Sequence, residues 1–509
     1  MNNFLNSNMG RLMSAYQDLE TRFARMAAVA DSLGILEWDS QTTMPSGAAA
    51  GRAEQTATLH LVLHGMQTDP RLKELLDQAE TEAAMLDPWQ MANLREMRRL
   101  WRHTVTVPAD LVEASSRAVS ACEIMWRSAR PNNDFAALSP LLNNVLRLKR
   151  EIGQAKAEAF GCSPYEALLE DYEPGARIVD LDRLFDSLAT FLPNFIQSAL
   201  ERQARLPPIE PLVGPFPIEF QKALGECLMR ALGFDFSRGR LDVSLHPFCG
   251  GARDDVRITT RYNEEDFLPA LMGVAHETGH ALYEQNRPAE WLNQPVGAAR
   301  GMSIHESQSL LIEMQACRSK AFMEFLAPLA RKCFGGSGAA WSEDALWRRI
   351  TRVERSFIRV DADEATYSAH VILRYRLEKA MVAGDLSVAD LPGAWNEMFQ
   401  TLLGVAPPDD RRGCLQDIHW PGGAWGYFPT YALGAMTAAQ LFESARQSDS
   451  DVELGLSRGD FGPLIRWMRR EIHSQGCLLS TEMLLRQATG RPLAPEAYCR
   501  HLERRYLSA

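Results

Sequence analysis

Residues 271–286 read LMGVAHETGHALYEQN, a helix-length segment that contains the pattern His276-Glu277-x-x-His280. On a helix, side chains at i and i+4 lie about 40° apart in projection, so both imidazoles point to one place and can bind one zinc ion. Glu277 lies about 60° from His280 on the same side, close enough to take a proton from a water that the metal activates. The segment therefore predicts a zinc-dependent peptide hydrolase with Glu277 as its general base.

The composition around this pattern argues against an accidental arrangement of buried histidines. The neighbouring apolar positions are Leu271, Met272, Val274, Ala275, Ala281 and Leu282. A helix of this kind is buried, and burying three ionisable groups without a metal or partners would be costly. The metal interpretation is the one that gives these groups a partner.

A catalytic zinc site needs a third protein ligand and an open position for water. The three-histidine variant would require Gly at position 283 and His at position 286, whereas the chain has Tyr283 and Asn286. A glutamate on the next helix, within residues 301–313, is the usual alternative. The candidates are Glu290, Glu306, Glu313 and the neighbouring His305. Spacing favours Glu306, because antiparallel packing of the two helices would bring it over His280, while the competing interpretation is a solvated carboxylate at a helix N-terminus.

The rest of the chain is mainly helical in pattern. Apolar residues recur at intervals of three and four over residues 9–35, 71–104, 109–128, 136–160, 179–204 and 217–232. Residues 240–262 break this pattern, with alternation at Leu241-Val243-Leu245 and Val256-Ile258 around Gly250-Gly251. This alternation predicts a short antiparallel hairpin just before the metal helix.

Composition limits the class of protein and its partners. The chain has 509 residues, 46% hydrophobic and 23% charged, and its formal net charge of -11 disfavours nucleic acid as a partner. The nine cysteines are scattered without a C-x-x-C pair, which indicates reduced thiols. The N-terminus does not resemble a signal peptide, and the uncharged stretch 420–442 is interrupted by glycines and a proline, so no membrane span is predicted. We expect a cytoplasmic location.

Six short motifs together resemble the thermostable carboxypeptidase Taq family of metallocarboxypeptidases. In chain order they are His246-Pro247-Phe248, Asp255-x-Arg257-x-Thr259, His276-Glu277-x-x-His280, His305-Glu306-Ser307-Gln308, Ile358-Arg359-x-x-Ala362-Asp363 and Gly413-x-x-Gln416-Asp417-x-His419-Trp420. The resemblance extends over nearly the whole chain. It implies one catalytic unit over residues 1–509, with a helical N-terminal part to about 235 and a zinc-site part from about 236.

The resemblance also implies several properties that the residues alone leave open. Glu306 becomes the third metal ligand and Glu277 the general base and acid. The implied fold is almost wholly helical, with a small antiparallel sheet beside a deep substrate groove, and the implied assembly is a homodimer. The implied activity is release of single amino acids from peptide C-termini, with zinc as the metal and cobalt as an alternative.

A carboxypeptidase must bind a free carboxylate next to the scissile bond, for which a bidentate arginine is suited. We predict that Arg359 has this role, oriented by Asp361, Asp363 or Glu364; an ordinary helix ion pair is the competing interpretation. Arg257 and Arg374 are rivals.

Other candidate substrate contacts are less specific. Asp255, Arg257 and Thr259 share one face of the predicted strand, whose edge could pair with an extended peptide; a structural Asp–Arg pair is the alternative. The candidates for stabilising the oxyanion or orienting the substrate are His246, His419, Tyr427 and Tyr431. Residues expected to hold the metal ligands in place are His305, Gln308 and Asp363.

Three other functions have to be weighed. An oligopeptidase that cuts internally would share the zinc site but would not need Arg359. An aminopeptidase is disfavoured, because the chain lacks a Gly-x-Met-Glu-Asn run. A helical scaffold with structural zinc would have no use for Glu277 and would close its fourth metal position.

Overall fold

The fold is described by a computed structural model that covers residues 14–508 and contains twenty α-helices and three strands within that range. The helices are α1 Ala15–Gln41, α2 Ala49–Gln67, α3 Pro70–Thr81, α4 Pro88–Thr106, α5 Ala109–Asn132, α6 Phe135–Phe160, α7 Pro164–Leu169, α8 Ile178–Ala204, α9 Ile218–Leu232, α10 Leu268–Gln285, α11 Met302–Leu310, α12 Lys320–Phe334, α13 Glu343–Ile350, α14 Glu364–Ala383, α15 Leu391–Leu403, α16 Pro429–Ser448, α17 Asp451–Arg458, α18 Gly462–Glu471, α19 Thr481–Thr489 and α20 Glu496–Glu503. The strands are β1 Gly239–Val243, β2 Cys249–Ala252 and β3 Asp255–Thr260. The mainly helical prediction is confirmed.

The predicted helices differ from the observed ones in two places. The stretch 71–104 is two helices, because Asp87 caps α4 by accepting from the backbone N–H of Gln90 and Pro88 follows at the first helical position. Helix α2 was not predicted, because none of its residues is buried and it therefore has no apolar stripe. Residues 9–13 of the first predicted helix lie outside the described residues.

The small sheet is mixed, so the simple antiparallel hairpin is wrong in detail. Strand β3 lies at the centre, parallel to β1 and antiparallel to β2. The turn between β2 and β3 is at Arg253-Asp254, whereas Gly250-Gly251 lies within β2. Gly251 has φ +98°, and a Cβ there would lie 2.1 Å from the Asp255 carbonyl oxygen, so this glycine is a strand position that no other residue fits.

Two large apolar cores organise the fold, and the metal helix α10 packs into the second of them. One core is built from α5, α6, α8 and α14 to α16, so it joins the N-terminal and C-terminal parts of the chain. The second is built around α9 to α12 and α16 to α19. Helix α10 is buried on nearly all sides, which fixes the position of its histidines. The division of the chain near residue 235 stays a prediction.

Two further predictions concern the state of the cysteines and the presence of membrane-spanning helices. All nine cysteines lie in the described range and are unpaired thiols. Within residues 14–508 no helix combines the length and the apolar character that crossing a bilayer requires.

Candidate metal centre and substrate site

The structure brings His276, His280 and Glu306 together. One ligand atom from each residue lies within 4.8 Å of the other two. Glu306 Oε2 is 3.4 Å from His280 Nε2 and 3.9 Å from His276 Nε2. Two imidazole nitrogens and one carboxylate oxygen are a donor set that suits zinc in a catalytic site. The other candidate ligand atoms do not join this group; Glu290, for example, is exposed on a separate turn.

Glycines allow the three helices around the group to approach closely. A Cβ on Gly279 of α10 would lie 2.6 Å from the Gln308 carbonyl oxygen of α11. A Cβ on Gly434 of α16 would lie 2.7 Å from Cγ of Glu306. Because these contacts are shorter than ordinary carbon contacts, a side chain at either position would displace α11 or its glutamate.

Glu313 orients His276 instead of joining the group. Its Oε2 lies 3.0 Å from His276 Nδ1, so the other ring nitrogen, Nε2, faces Glu306. Arg318 donates to the second carboxylate oxygen of Glu313 at 2.6 Å. Carboxylates on the outer nitrogen of a metal-binding histidine fix its ring and its tautomer. Glu313 lies seven residues beyond Glu306, about two helical turns, in the π-helical segment Leu311–Cys317.

The electrostatics of the group favour a bound cation. Burial lowers the pKa of His276, but the contact with Glu313 and the charges of Glu306 and Glu277 outweigh this and raise it to about 10. Burial and the nearby His305 lower the pKa of His280 to about 4. Burial opposes ionisation of Glu306, yet His280 and His276 lower its pKa to about 2. The buried carboxylates thus stabilise a positive charge placed at the histidine nitrogens.

Glu277 lies where a general base would be needed. It faces a cleft of about 1010 Å³ that is also lined by His276, Glu313, Asp361 and Asp363. Its side chain is buried and makes no hydrogen bond with the residues described, and burial raises its pKa to about 7. A carboxylate without a fixed partner, with a pKa near neutrality, can accept and return a proton.

The three residues expected to hold the ligands have different contacts. His305 stacks on His280 with ring centres 4.6 Å apart, and its Nε2 lies 2.9 Å from Glu284 Oε1, so it does lie against a histidine of the group. Gln308 Oε1 lies 3.0 Å from His473 Nε2, and no hydrogen bond joins the Gln308 side chain to the three ligands in the described chain. Asp363 accepts from the backbone N–H groups of Ala365 and Thr366 and caps α14, so no hydrogen bond joins Asp363 to the ligands in the part of the chain described.

Arg359 is oriented by Asp417 and not by the acidic residues near it in sequence. Its Nε and Nη2 donate to Asp417 Oδ1 at 3.0 and 2.9 Å, and its Nη1 donates to Tyr367 at 3.2 Å. Arg374 donates through Nε to the other oxygen of Asp417 at 2.7 Å. The prediction that Asp361, Asp363 or Glu364 orients Arg359 is wrong, because the arginine pairs with Asp417, which lies 58 positions away in sequence.

The Arg359–Arg374–Asp417 cluster carries an excess positive charge. Two guanidinium groups share one carboxylate, whose pKa they hold well below its usual range despite burial. The adjacent His419 does not add charge at neutral pH, because burial lowers its pKa to about 4. The Arg359 side chain is 7% exposed, so an unbalanced charge here is shielded little by water.

Three tyrosines lie between this cluster and the metal group. They are Tyr367, Tyr427 and Tyr431, and burial raises the pKa of each hydroxyl. The negative charge of Glu306 raises all three pKa values further, whereas the positive charge of Arg359 lowers those of Tyr367 and Tyr431. Tyr431 lies with its ring 4.9 Å from the Arg359 guanidinium carbon, and its hydroxyl is 3.2 Å from His419 Nε2. Tyr427 packs against Tyr431 with ring centres 5.2 Å apart. His419, Tyr427 and Tyr431 therefore belong to one site with Arg359.

The strand residues have mainly structural contacts. Arg257 donates to Asp255 through Nε at 2.9 Å and also through Nη2, and it stacks on Trp38. Thr259 Oγ1 accepts from the Phe248 N–H at 3.0 Å and holds the loop between β1 and β2. His246 is exposed in that loop, and no side-chain contact joins it to the metal group in the described chain. The idea that an edge of this strand binds peptide is wrong, because β3 is paired on both sides.

Two contributors to the site were not singled out from the sequence. Asp417 was visible in the sixth motif, but its partners could not be known before folding. Gly434 had no sequence signal at all, because a helical glycine has significance only when a neighbouring side chain is placed against it.

Comparison with known proteins gives one consistent result. Residues 18–506 match the family model described as carboxypeptidase Taq (M32) metallopeptidase. The chain is similar to thermostable carboxypeptidase 1 of Thermus thermophilus, with 39% identity over 97% of this chain and 98% of that one. Among solved structures it is similar to metallocarboxypeptidase 1 of Trypanosoma cruzi (TM-score 0.95, 42% identity, 97% and 99% covered). It is also similar to an M32 carboxypeptidase of Deinococcus radiodurans R1 (TM-score 0.93, 34% identity, 97% and 99% covered).

Proposed function

Because the chain belongs to the carboxypeptidase Taq (M32) family and is a metallocarboxypeptidase, we propose that it hydrolyses the last peptide bond of peptides and releases single amino acids with broad specificity. The observation that carries this proposal is the Arg359–Arg374–Asp417 cluster, linked by tyrosines to a His-His-Glu group that has a free carboxylate beside it.

His276, His280 and Glu306 hold a zinc ion, one per chain. A zinc ion in this position would lower the pKa of a bound water to about 7 and polarise the scissile carbonyl. Support comes from the donor set, the short distances between the ligand atoms and the orienting contact from Glu313. Cobalt fits the same donors, so metal analysis of the purified protein decides between them.

Glu277 is the general base and then the general acid. It takes a proton from the attacking water and returns it to the leaving amine. Its position supports this role, because it directly follows His276 and faces the cleft without a fixed partner. A pKa near 7 balances proton acceptance against proton release.

Arg359 provides the positive charge that binds the free C-terminus. Asp417 neutralises only one of the two buried guanidinium groups, so a substrate carboxylate completes the charge balance. The Nε and Nη2 donors are already used by Asp417, so the expected two-donor fork is replaced by Nη1 together with a neighbouring phenol. Tyr427 or Tyr431 stabilises the oxyanion, with His419 setting the direction of the Tyr431 hydroxyl.

The remaining strand and loop residues have supporting roles. Asp255, Arg257 and Thr259 hold the sheet and the loop between β1 and β2 in place, and a substrate contact by His246 stays a prediction. Assembly as a homodimer and residence in the cytoplasm stay predictions. Light scattering of the purified protein tests the first, and cell fractionation the second.

The test compares peptides that end in a free acid or an amide. The wild-type protein should cleave the amide poorly, and Arg359→Ala should reduce kcat/KM on the acid by roughly 10²-fold or more, since each charge-assisted hydrogen bond contributes about 1.5–3 kcal/mol. Arg257→Ala is the matched control and should keep the preference for the acid. Arg359→Lys, which keeps the charge, should lie between.

The alternatives make different predictions in the same assay. If the wild-type protein cleaves the amide as fast as the acid, a free C-terminus is not recognised, and the protein is an oligopeptidase that cuts internally. If Arg257→Ala loses the preference while Arg359→Ala keeps it, the anchor lies on the sheet. Bound metal without any turnover would support the scaffold.

A further inference from the structure

A second, arginine-lined cleft lies apart from the metal group. It has a volume of about 590 Å³ and is bounded by α4 and by the segment between α6 and α8. Helix α4 carries four arginines at intervals that place them on one face, and two more arginines come from elsewhere in the chain. The arginines that line the cleft are Arg95, Arg98, Arg99, Arg102, Arg177 and Arg300. In a chain with a net charge of -11, this local concentration needs an explanation.

A single buried glutamate serves three of these arginines. Glu96, whose side chain is 3% exposed, lies 3.0 Å from Arg300, 2.8 Å from Arg99 and 3.5 Å from Arg95. In addition, Arg300 is buried and its Nε has no hydrogen-bond acceptor in the described chain. The pKa of Glu96 is lowered although burial opposes this, because Arg300 and Arg99 hold it ionised. One carboxylate therefore faces three guanidinium groups.

Of the other three arginines of the cleft, one has no carboxylate partner and two are paired with acidic residues. Arg102 stacks on Phe160 and donates to the Ala159 carbonyl, and no carboxylate lies within ion-pair distance of it among residues 14–508. Arg98 is fully paired with Glu80 and Asp77, and Arg177 lies 3.8 Å from Glu166. Four guanidinium groups, those of Arg95, Arg99, Arg102 and Arg300, thus have only two carboxylates left to balance them, Glu96 and, on the rim, Glu170. An excess of two positive charges is left.

We propose that this cleft binds a small phosphate-bearing molecule. Guanidinium groups present paired donors that match the oxygens of a phosphate, and a phosphate monoester carries about two negative charges at neutral pH. A ligand with a single carboxylate would neutralise only one of the two excess positive charges. The stacking of Arg102 on Phe160 holds that guanidinium in place, which reduces the entropy lost when an anion binds. None of His276, Glu277, His280 and Glu306 lines the cleft, so the anion does not occupy the peptide site.

The test measures binding of adenosine 5′-monophosphate by calorimetry, with adenosine as the uncharged control. The metal-loaded wild-type protein should bind the monophosphate saturably and ignore adenosine. The double variant Arg99→Gln, Arg102→Gln should weaken binding at least tenfold, because it removes two charged donors. The matched control Arg71→Gln, Arg117→Gln removes the same charge from exposed arginines elsewhere and should bind like wild type.

A third variant keeps the test decisive if the double variant Arg99→Gln, Arg102→Gln does not fold. Arg177→Gln acts from the opposite wall, where the side chain is 54% exposed, and should also weaken binding severalfold. No saturable binding to the wild type would overturn the proposal. Equal binding by the wild type and both cleft variants would overturn it as well, and would show a non-specific charge effect.

Discussion

Substituting Gly434 tests how the metal group is built, without touching any residue that carries its chemistry. In Gly434→Ala the new Cβ would lie 2.7 Å from Cγ and 2.9 Å from Cβ of Glu306. Carbon atoms in proteins pack at about 3.5–4.0 Å, so one side must move by about 1 Å. Helix α16 is buried along most of its length and cannot retreat easily. The glutamate should therefore move.

The magnitude follows from where the strain falls. Overpacking of this kind costs about 1–3 kcal/mol. Without metal, rotation of the Glu306 side chain can relieve the contact at Cγ, whereas with metal the carboxylate must stay within about 0.2 Å of its ligand position. The strain then acts on the metal-bound state, and each 1.4 kcal/mol weakens binding about tenfold. We expect metal affinity to fall by roughly 5- to 150-fold.

The assay titrates metal-loaded protein with a chelator of known affinity and measures retained zinc by mass spectrometry. Gly393→Ala is the matched control, since a Cβ there meets nothing within 4 Å and its helix should tolerate or gain from alanine. The control should release zinc at the wild-type chelator concentration, and Gly434→Ala at a lower one. If Gly434→Ala retains zinc like the control, Glu306 is not held by α16 in the way described.

Three further substitutions probe other parts of the site. Glu277→Gln should keep the metal and lose several orders of magnitude in kcat, because the water loses its proton acceptor; near-normal turnover by a metal-loaded variant would contradict this. Glu313→Gln should weaken metal binding by about 10- to 100-fold, as loss of an outer carboxylate does, and unchanged zinc retention would contradict it. Asp417→Asn leaves the guanidinium groups of Arg359 and Arg374 buried without a carboxylate, so the free energy of unfolding should fall by about 3–5 kcal/mol in denaturant titration; an unchanged midpoint would show that the cluster is not structural.

Local spacing predicted the parts of the site that depend on local geometry. The i, i+4 spacing of His276 and His280 places both on one helical face, and the connection of residues 286–301 carries Glu306 back to them. The capping signal at Asp87 lies inside a longer stretch with continuous helical periodicity, so periodicity alone does not divide that stretch into two helices. Helix α2 was missed because its contacts bury no residue fully, so its sequence has no amphipathic pattern.

Distant contacts could not be predicted in the same way. The parallel pairing of β1 with β3 leaves β2 on the other side of β3, and alternation of apolar residues is the same for either arrangement. Asp417 pairs with Arg359 although the two are 58 positions apart, whereas the acidic residues two to five positions from Arg359 do not pair with it. Such pairings depend on how helices pack, which no window of sequence contains.

Digestion of a peptide with a free C-terminus, followed by mass spectrometry over time, tests the central claim most directly. Metal-loaded protein should produce a ladder in which single residues disappear successively from the C-terminus. Chelation should stop the ladder, and added zinc should restart it. Internal fragments, loss of residues from the N-terminus, or a ladder that continues after complete removal of metal would contradict the account.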